Sequence, residues 1–214
     1  MLLCGIDEAG RGPVIGPMVI CGVALDEHKV NYLRDLQVKD SKLLTPSKRE
    51  RIFRELTTVG THYVIIVEPA EIDAAVMGTE GLNLNWLEAK KSVEILEKLQ
   101  PQRAFVDCPS PNLPAYTNYM LKLLTFPLDL RCEHKADAKY EIVSAASIIA
   151  KVTRDKLIEE IKRKHGVDFG SGYIADPKTA AFIKANPDFP EIRKSWAPYK
   201  KLVTGKKQKG LGDF

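Results

Sequence analysis

Apolar positions along the chain fall into two rhythms. Leu2, Leu3, Cys4 and Ile6 make one short, nearly continuous run, and Val19, Ile20, Val23 and Leu25 make another. Residues 2–7 and 18–25 are therefore predicted to be strands buried in a sheet. Residues 63–67, 103–107 and 128–132 read the same way. A period near 3.6 appears instead in Leu84, Leu87, Val93, Leu96 and Leu99, and predicts a helix over 82–99. The longest helical pattern starts at Asp137, runs through Ile142, Val143, Ala146, Ile149, Val152, Ile158 and Ile161, and stops near Gly166. Its stretch 144–150 is almost entirely small or apolar, as expected of a segment buried on most sides.

Polar punctuation sets the remaining boundaries. The link 10–17 is too rich in Gly and Pro for helix, and 39–42 is a polar loop. Thr45-Pro46 and Asp176-Pro177 each read as an N-cap followed by proline at the first helical position, opening helices to about residue 56 and beyond 177. A short helix is predicted over 116–124, and 170–173 is a flexible loop carrying Tyr173. Alternating strands and helices give an α/β class with a mixed sheet flanked by helices. We expect one domain over 1–199, with a helical region from about 165, and a short basic tail over 200–214.

Composition narrows the class without naming an activity. Across 214 residues, 44% hydrophobic and 28% charged content is that of a globular protein, and no apolar run approaches a membrane span. With no leader-like segment at Met1, the expected location is the cytoplasm, without a membrane partner and as a monomer. The formal charge of +4 is compatible with nucleic acid, and the tail adds Lys200, Lys201, Lys206, Lys207 and Lys209 against Asp213 alone. Cys4, Cys21, Cys108 and Cys132 lack metal or disulfide spacing and read as core thiols. His28, His62 and His165 lie in segments that read as exposed.

The chemistry concentrates in acidic residues. Asp7-Glu8 ends the first strand and runs into Gly10-Arg11-Gly12, which brings cation ligands beside backbone N–H groups and a guanidinium suited to a phosphodiester. Asp107 ends another strand, and Asp137 opens a helix directly after a third. Carboxylates gathered at strand ends suit two hard divalent cations, Mg²⁺ or Mn²⁺, which about 3.5–4 Å apart assist in-line phosphoryl displacement. Each also has a structural alternative: a solvated turn for Asp7-Glu8, a turn former before Cys108-Pro109 for Asp107, an N-cap for Asp137. Neighbours on a regular strand face opposite ways, so Asp7 and Glu8 can both be ligands only if the strand ends or bends at Glu8. His134 is close by, but a metal-activated water needs no histidine base.

Five motifs in order, Asp7-Glu8-Ala9-Gly10-Arg11-Gly12-Pro13-Val14-Ile15-Gly16-Pro17, Asp40-Ser41-Lys42, Val106-Asp107, His134-Lys135-Ala136-Asp137 and the run from Val143 to Val152, resemble type 2 ribonuclease H in its archaeal form. The resemblance spans about residues 1–185. It implies an RNase H-like fold and endonucleolytic cleavage of RNA in RNA/DNA hybrids, including single ribonucleotides embedded in duplex DNA, leaving 5'-phosphate and 3'-hydroxyl ends. It also implies that Asp7, Glu8, Asp107 and Asp137 are catalytic carboxylates binding Mg²⁺ or Mn²⁺. Gly10, Arg11 and Gly12 would contact the ribose and adjacent phosphate, Ser41 and Lys42 phosphates, and Tyr173 the ribose at an RNA–DNA junction. Leu43, where relatives often carry a second lysine, and Ile174-Ala175, in place of a Pro-Ser pair, depart from the family pattern.

Gln208, Leu211 and Phe214 are spaced by three at the very end and resemble a sliding-clamp-binding peptide, shortened after its first aromatic. Two other readings stand beside the hybrid endonuclease. An RNase H-fold DNA nuclease would not need Gly-Arg-Gly or Tyr173, and a non-catalytic clamp-tethered binder would not need four carboxylates.

Overall fold

The structure is a computed structural model that describes residues 1–38, 45–78 and 81–204. Five strands form one sheet: β1 (Leu2–Ala9), β2 (Met18–Asp26), β3 (Thr61–Val67), β4 (Arg103–Asp107) and β5 (Asp129–Glu133), in the order β3-β2-β1-β4-β5. β2 is antiparallel to both β1 and β3, while β4 runs parallel to β1 and β5 parallel to β4. β1 is thus central, and the C-terminal ends of β1, β4 and β5 emerge on one edge.

Helices cover both faces. On one, α1 (Val30–Asp35), α2 (Pro46–Val59) and the long α7 (Glu141–His165) enclose a core with Leu3, Ala9, Cys21 and Phe105. On the other, α3 (Pro69–Val76), α4 (Leu84–Leu99) and α5 (Leu113–Leu123) bury Cys4, Ile6, Ile20 and Val106. The alternation along β1 follows from the two-residue strand period, and burial on both faces explains its unbroken apolar run. Gly5 makes the closest approach: a Cβ there would lie 2.4 Å from the Ile142 backbone, so its absence lets α7 cross against β1. A third cluster, with Val14, Ile15, Ile158, Phe169 and Ile183, packs the turn after β1 against α7, α8 (Pro177–Ala185) and α9 (Ala197–Thr204).

Local signals account for most elements. The Thr45 hydroxyl accepts the Lys48 N–H, Asn83 caps α4 through the Trp86 N–H, and Asp176 caps α8 through the Lys178 N–H. All four cysteines are free and buried. Three expectations change. β1 does not end at Glu8: Glu8 pairs with Ile20 and Ala9 with Val19. The helix opened near Asp137 breaks, with α6 (Ala136–Lys139) separated from α7 by an extended Tyr140 whose ring stacks on Phe105, 4.1 Å between centroids. His62 and His165 are half-buried rather than exposed, His165 lying edge-on to Phe189 at 4.9 Å. The short helices α1 and α3 carry no side-chain cap bond and have too few residues to show a period.

Candidate active site

Parallel pairing of Ile6 with Val106 sets Asp7 and Asp107 at the same level on adjacent strands. β5 ends one strand further along and leads directly into α6, which carries Asp137 in its first turn. The N-cap position belongs to Lys135, in the left-handed region at φ 55°, so Asp137 is not the cap. Asp107 Oδ1 accepts the Ala136 N–H at 2.9 Å and ties the end of β4 to the start of α6. His134 Nδ1 lies 2.9 Å from the Cys108 carbonyl oxygen, to which it must donate. That bond ties the His134 ring to the backbone just past the end of β4.

Asp7 and Glu8 face opposite sides of the unbent strand. Asp7 is buried on the α7 side and accepts from the Ser147 hydroxyl and, at 2.8 Å, from the Glu8 N–H. Burial first, then repulsion from Glu8 and Asp107, pushes its carboxyl well above the usual range. Glu8 lies on the α4 side. It keeps a partly exposed edge, yet packing around it makes burial the leading cause that, with repulsion from Glu88 and Asp107, lifts it to about 8. Asp107 acts on both, and the Asp7 and Glu8 carboxyls lie within side-chain hydrogen-bond reach of each other although they leave opposite faces of the strand.

A cavity of 430 Å³ joins Glu8 to the glycine turn, with Gly10, Arg11, Gly12, Arg49, Ser147, Lys151 and Tyr173 on its other walls. A larger groove of 640 Å³ between α2 and α7 mixes charges of both signs and contains none of the four carboxylates, so chemistry rather than size selects the smaller one. Gly10 has φ +82°, and a Cβ there would strike the Arg154 side chain at 2.4 Å. A Cβ on Gly12 would sit 3.6 Å from Tyr173 Cε1, so the tyrosine ring lies over the turn. Tyr173 itself is 44% exposed, with the Arg154 guanidinium 5.6 Å from its ring centre.

The Tyr173 loop is fixed despite Ile174-Ala175. Val14 N–H donates to the Gly172 carbonyl at 2.8 Å, Gly172 N–H to Thr179 Oγ1 at 3.0 Å and Ser171 N–H to Asp176 Oδ2 at 2.7 Å. Arg11 points inward, donating from Nε to Glu88 Oε1 and from Nη2 to Asn85 Oδ1, each at 2.8 Å. Ser41 and Lys42, and Gln208, Leu211 and Phe214, lie outside the described residues.

The chain as a whole has counterparts among known proteins. A family model described as ribonuclease HII matches residues 4–198. The chain is 46% identical over 210 residues to a ribonuclease HII of Pyrococcus horikoshii, covering 94% of this chain and 93% of that protein. The chain belongs to the ribonuclease HII family. As a member it is a ribonuclease H, a hydrolase. The crystal structure of ribonuclease H2 from P. horikoshii OT3 superposes with a TM-score of 0.85 at 45% identity, covering 96% of this chain and 98% of that one. The structure titled as the PCNA:RNase HII complex from Archaeoglobus fulgidus gives 0.83 at 38% identity, over the whole of both chains. The mixed five-stranded sheet is the RNase H fold expected from the motifs.

For a ribonuclease HII, the donor set is all oxygen, which suits Mg²⁺ or Mn²⁺ rather than a thiolate-seeking ion. Its mutually repelling buried carboxyls are what a bound cation would relieve. As placed, no three His, Cys, Asp or Glu side chains among the described residues stand close enough to hold an ion together. Asp7 Oδ1 accepts the Glu8 N–H and Asp107 Oδ1 the Ala136 N–H, bonds that hold each carboxylate against neighbouring backbone.

Sequence reasoning missed Glu88, Arg154, Arg193 and Trp196. Glu88 had a signal: it sits between Leu87 and Ala89 on the buried stripe of α4, where a charge is out of place. No helix of the described residues is long and apolar enough to cross a membrane.

Proposed function

We propose that the protein is an endonuclease that cuts the RNA strand of RNA/DNA hybrids and single ribonucleotides embedded in duplex DNA, leaving 5'-phosphate and 3'-hydroxyl ends. The observation that carries this is the shared cavity, which puts Glu8 on the same walls as Gly10, Gly12 and Tyr173. Cutting and ribose recognition then act on one nucleotide.

Asp7, Glu8, Asp107 and Asp137 would hold Mg²⁺ or Mn²⁺. The chemistry such cations would supply there is a water of lowered pKa and stabilisation of the leaving oxygen. Ser147, donating to Asp7, keeps that carboxylate oriented. Asp107 is braced through Oδ1 on the Ala136 N–H, which ties its carboxylate to the start of α6. Gly10 and Gly12 let the backbone approach a ribose with no side chain between, and a 2'-hydroxyl can both donate to and accept from such a turn. Tyr173 lies over Gly12 and supplies an apolar face for the sugar. Lys151 and Arg49 add positive charge for the phosphates.

The tail motif Gln208, Leu211 and Phe214 would engage a sliding clamp, a reading supported by the likeness to the A. fulgidus protein titled in complex with PCNA. The deciding assay for the whole reading uses a DNA duplex with one ribonucleotide beside an all-DNA duplex, each with Mg²⁺, and maps the nick. Cleavage confined to the ribonucleotide, 5' to which the new 3'-hydroxyl lies, is expected. Equal cutting of the control would mark a DNA nuclease instead.

A further inference from the structure

Arg193 is an arginine with no exposed surface, and among the described residues no carboxylate lies within salt-bridge distance of it. Its partners are backbone carbonyls of the turn after β1. Nε donates to the Gly16 oxygen at 2.9 Å, Nη1 to the Arg11 oxygen at 2.9 Å and Nη2 to the Gly10 oxygen at 2.6 Å. Trp196, under the guanidinium at 5.2 Å, donates its indole N–H to the Gly12 oxygen at 3.1 Å. Three consecutive carbonyls, those of Gly10, Arg11 and Gly12, are thereby drawn into the protein.

The consequence follows from peptide geometry. In a trans peptide unit the N–H points opposite to the C=O of the preceding residue. With the Gly10 and Arg11 oxygens turned to Arg193, the N–H groups of Arg11 and Gly12 are turned away from it, and neither has an acceptor among the described residues. The next unit leaves nothing unpaired, because Pro13 has no N–H.

Burying a guanidinium is costly, and a core position would ordinarily be filled by an apolar residue. Burial and the neighbouring Arg154 bring Arg193 down to about 9 from its usual value, so the cost is visible. Only a planar, five-donor fork reaches three diverging oxygens at once. The segment is in turn fixed from α3, where Asp73 accepts the Lys194 N–H at 2.8 Å and the Ser195 N–H at 3.0 Å.

We propose that Arg193 is a positioning residue for substrate discrimination: it sets the Gly10–Gly12 turn so that two backbone N–H groups stand as fixed donors for the ribose 2'-hydroxyl and its adjacent phosphate. This rests on the reading of the turn as the ribose-sensing element.

The test compares Arg193→Met, which keeps length but has no donors, with Arg193→Lys, which has one donor group. Two quantities are measured in full-length protein: kcat and KM on a duplex with one ribonucleotide, and, in an Asp107→Asn background, affinity for that duplex and for its all-DNA match. We expect kcat/KM to fall roughly 100-fold for Arg193→Met, the scale seen when a fixed transition-state donor is lost, and less for Arg193→Lys. Preference for the ribonucleotide duplex should vanish while all-DNA affinity stays. Parental kcat/KM in a folded variant, or equal weakening on both duplexes, would overturn the assignment. If Arg193→Met does not fold, Arg193→Lys carries the same comparison, with a parental value refuting it. A parent with no preference for the ribonucleotide duplex would instead refute the ribose-sensing reading beneath it.

Discussion

Arg11 Nε donates to Glu88 Oε1 at 2.8 Å, so the guanidinium of the glycine turn is held by a carboxylate buried inside α4. Burial lifts Glu88 to about 7 even though Arg11 and Arg193 pull it down. An unfolded glutamate titrates near 4.3. A carboxyl that binds its proton more tightly when folded favours the native state at low pH, and that contribution is lost as pH rises from about 4.3 to about 7. Glu8, raised in the same direction, titrates with it as a pair. Glu88→Gln should therefore flatten the decline of Tm across this window without abolishing it. Parallel Tm profiles for variant and parent in calorimetry would contradict the assignment.

Asp107→Asn should lower cleavage of a ribonucleotide-containing duplex by roughly 1,000-fold or more, since an amide is a poor ligand for a hard cation. Its melting temperature should stay within a few degrees of the parent, because the amide oxygen still accepts the Ala136 N–H. Asp107→Ala loses that acceptor too and should melt lower by about 1–3 kcal/mol of stability. Retention of full activity by the asparagine variant would refute the catalytic assignment.

Gly5→Ala tests the crossing of α7 over β1. The added methyl would lie 2.4 Å from the Ile142 carbonyl group and 2.5 Å from the Val143 nitrogen, all of it backbone that cannot rotate away. Overpacking of this kind costs about 1–3 kcal/mol. A Tm equal to the parent's would show that the helix has room the structure does not give it.

Removing residues 208–214 should abolish capture of the protein by an immobilised sliding clamp. Undiminished capture would exclude the tail as the docking peptide and direct the search to the folded part of the chain.

Much of the fold was legible in the sequence because its signals are local. A strand buried on two faces needs a continuous apolar run, and a helix start needs a side-chain acceptor for its free N–H groups; Thr45, Asn83 and Asp176 supply one each. The acidic positions were legible as well, since Asp7 and Asp107 each stand where an apolar run stops. Other features left no local trace. Whether Asp7 and Glu8 could serve one site was expected to turn on a bend at Glu8 that does not occur; the Glu8 side chain reaches the Asp7 carboxyl without it, and Asp107 acts on both from the neighbouring strand. Tyr140 breaks the long helical pattern because its ring packs on Phe105, a partner 35 positions away in the chain. Arg193 lies 183 residues from Gly10, and no periodicity links them. Hydrophobic rhythm and capping thus determined which segments are strands and helices and where the carboxylates stand. Which residues join Glu8 in one cavity, and which buried arginine orients the turn beside it, was decided by tertiary packing, because contacts between distant segments form only where the folded elements bring them together.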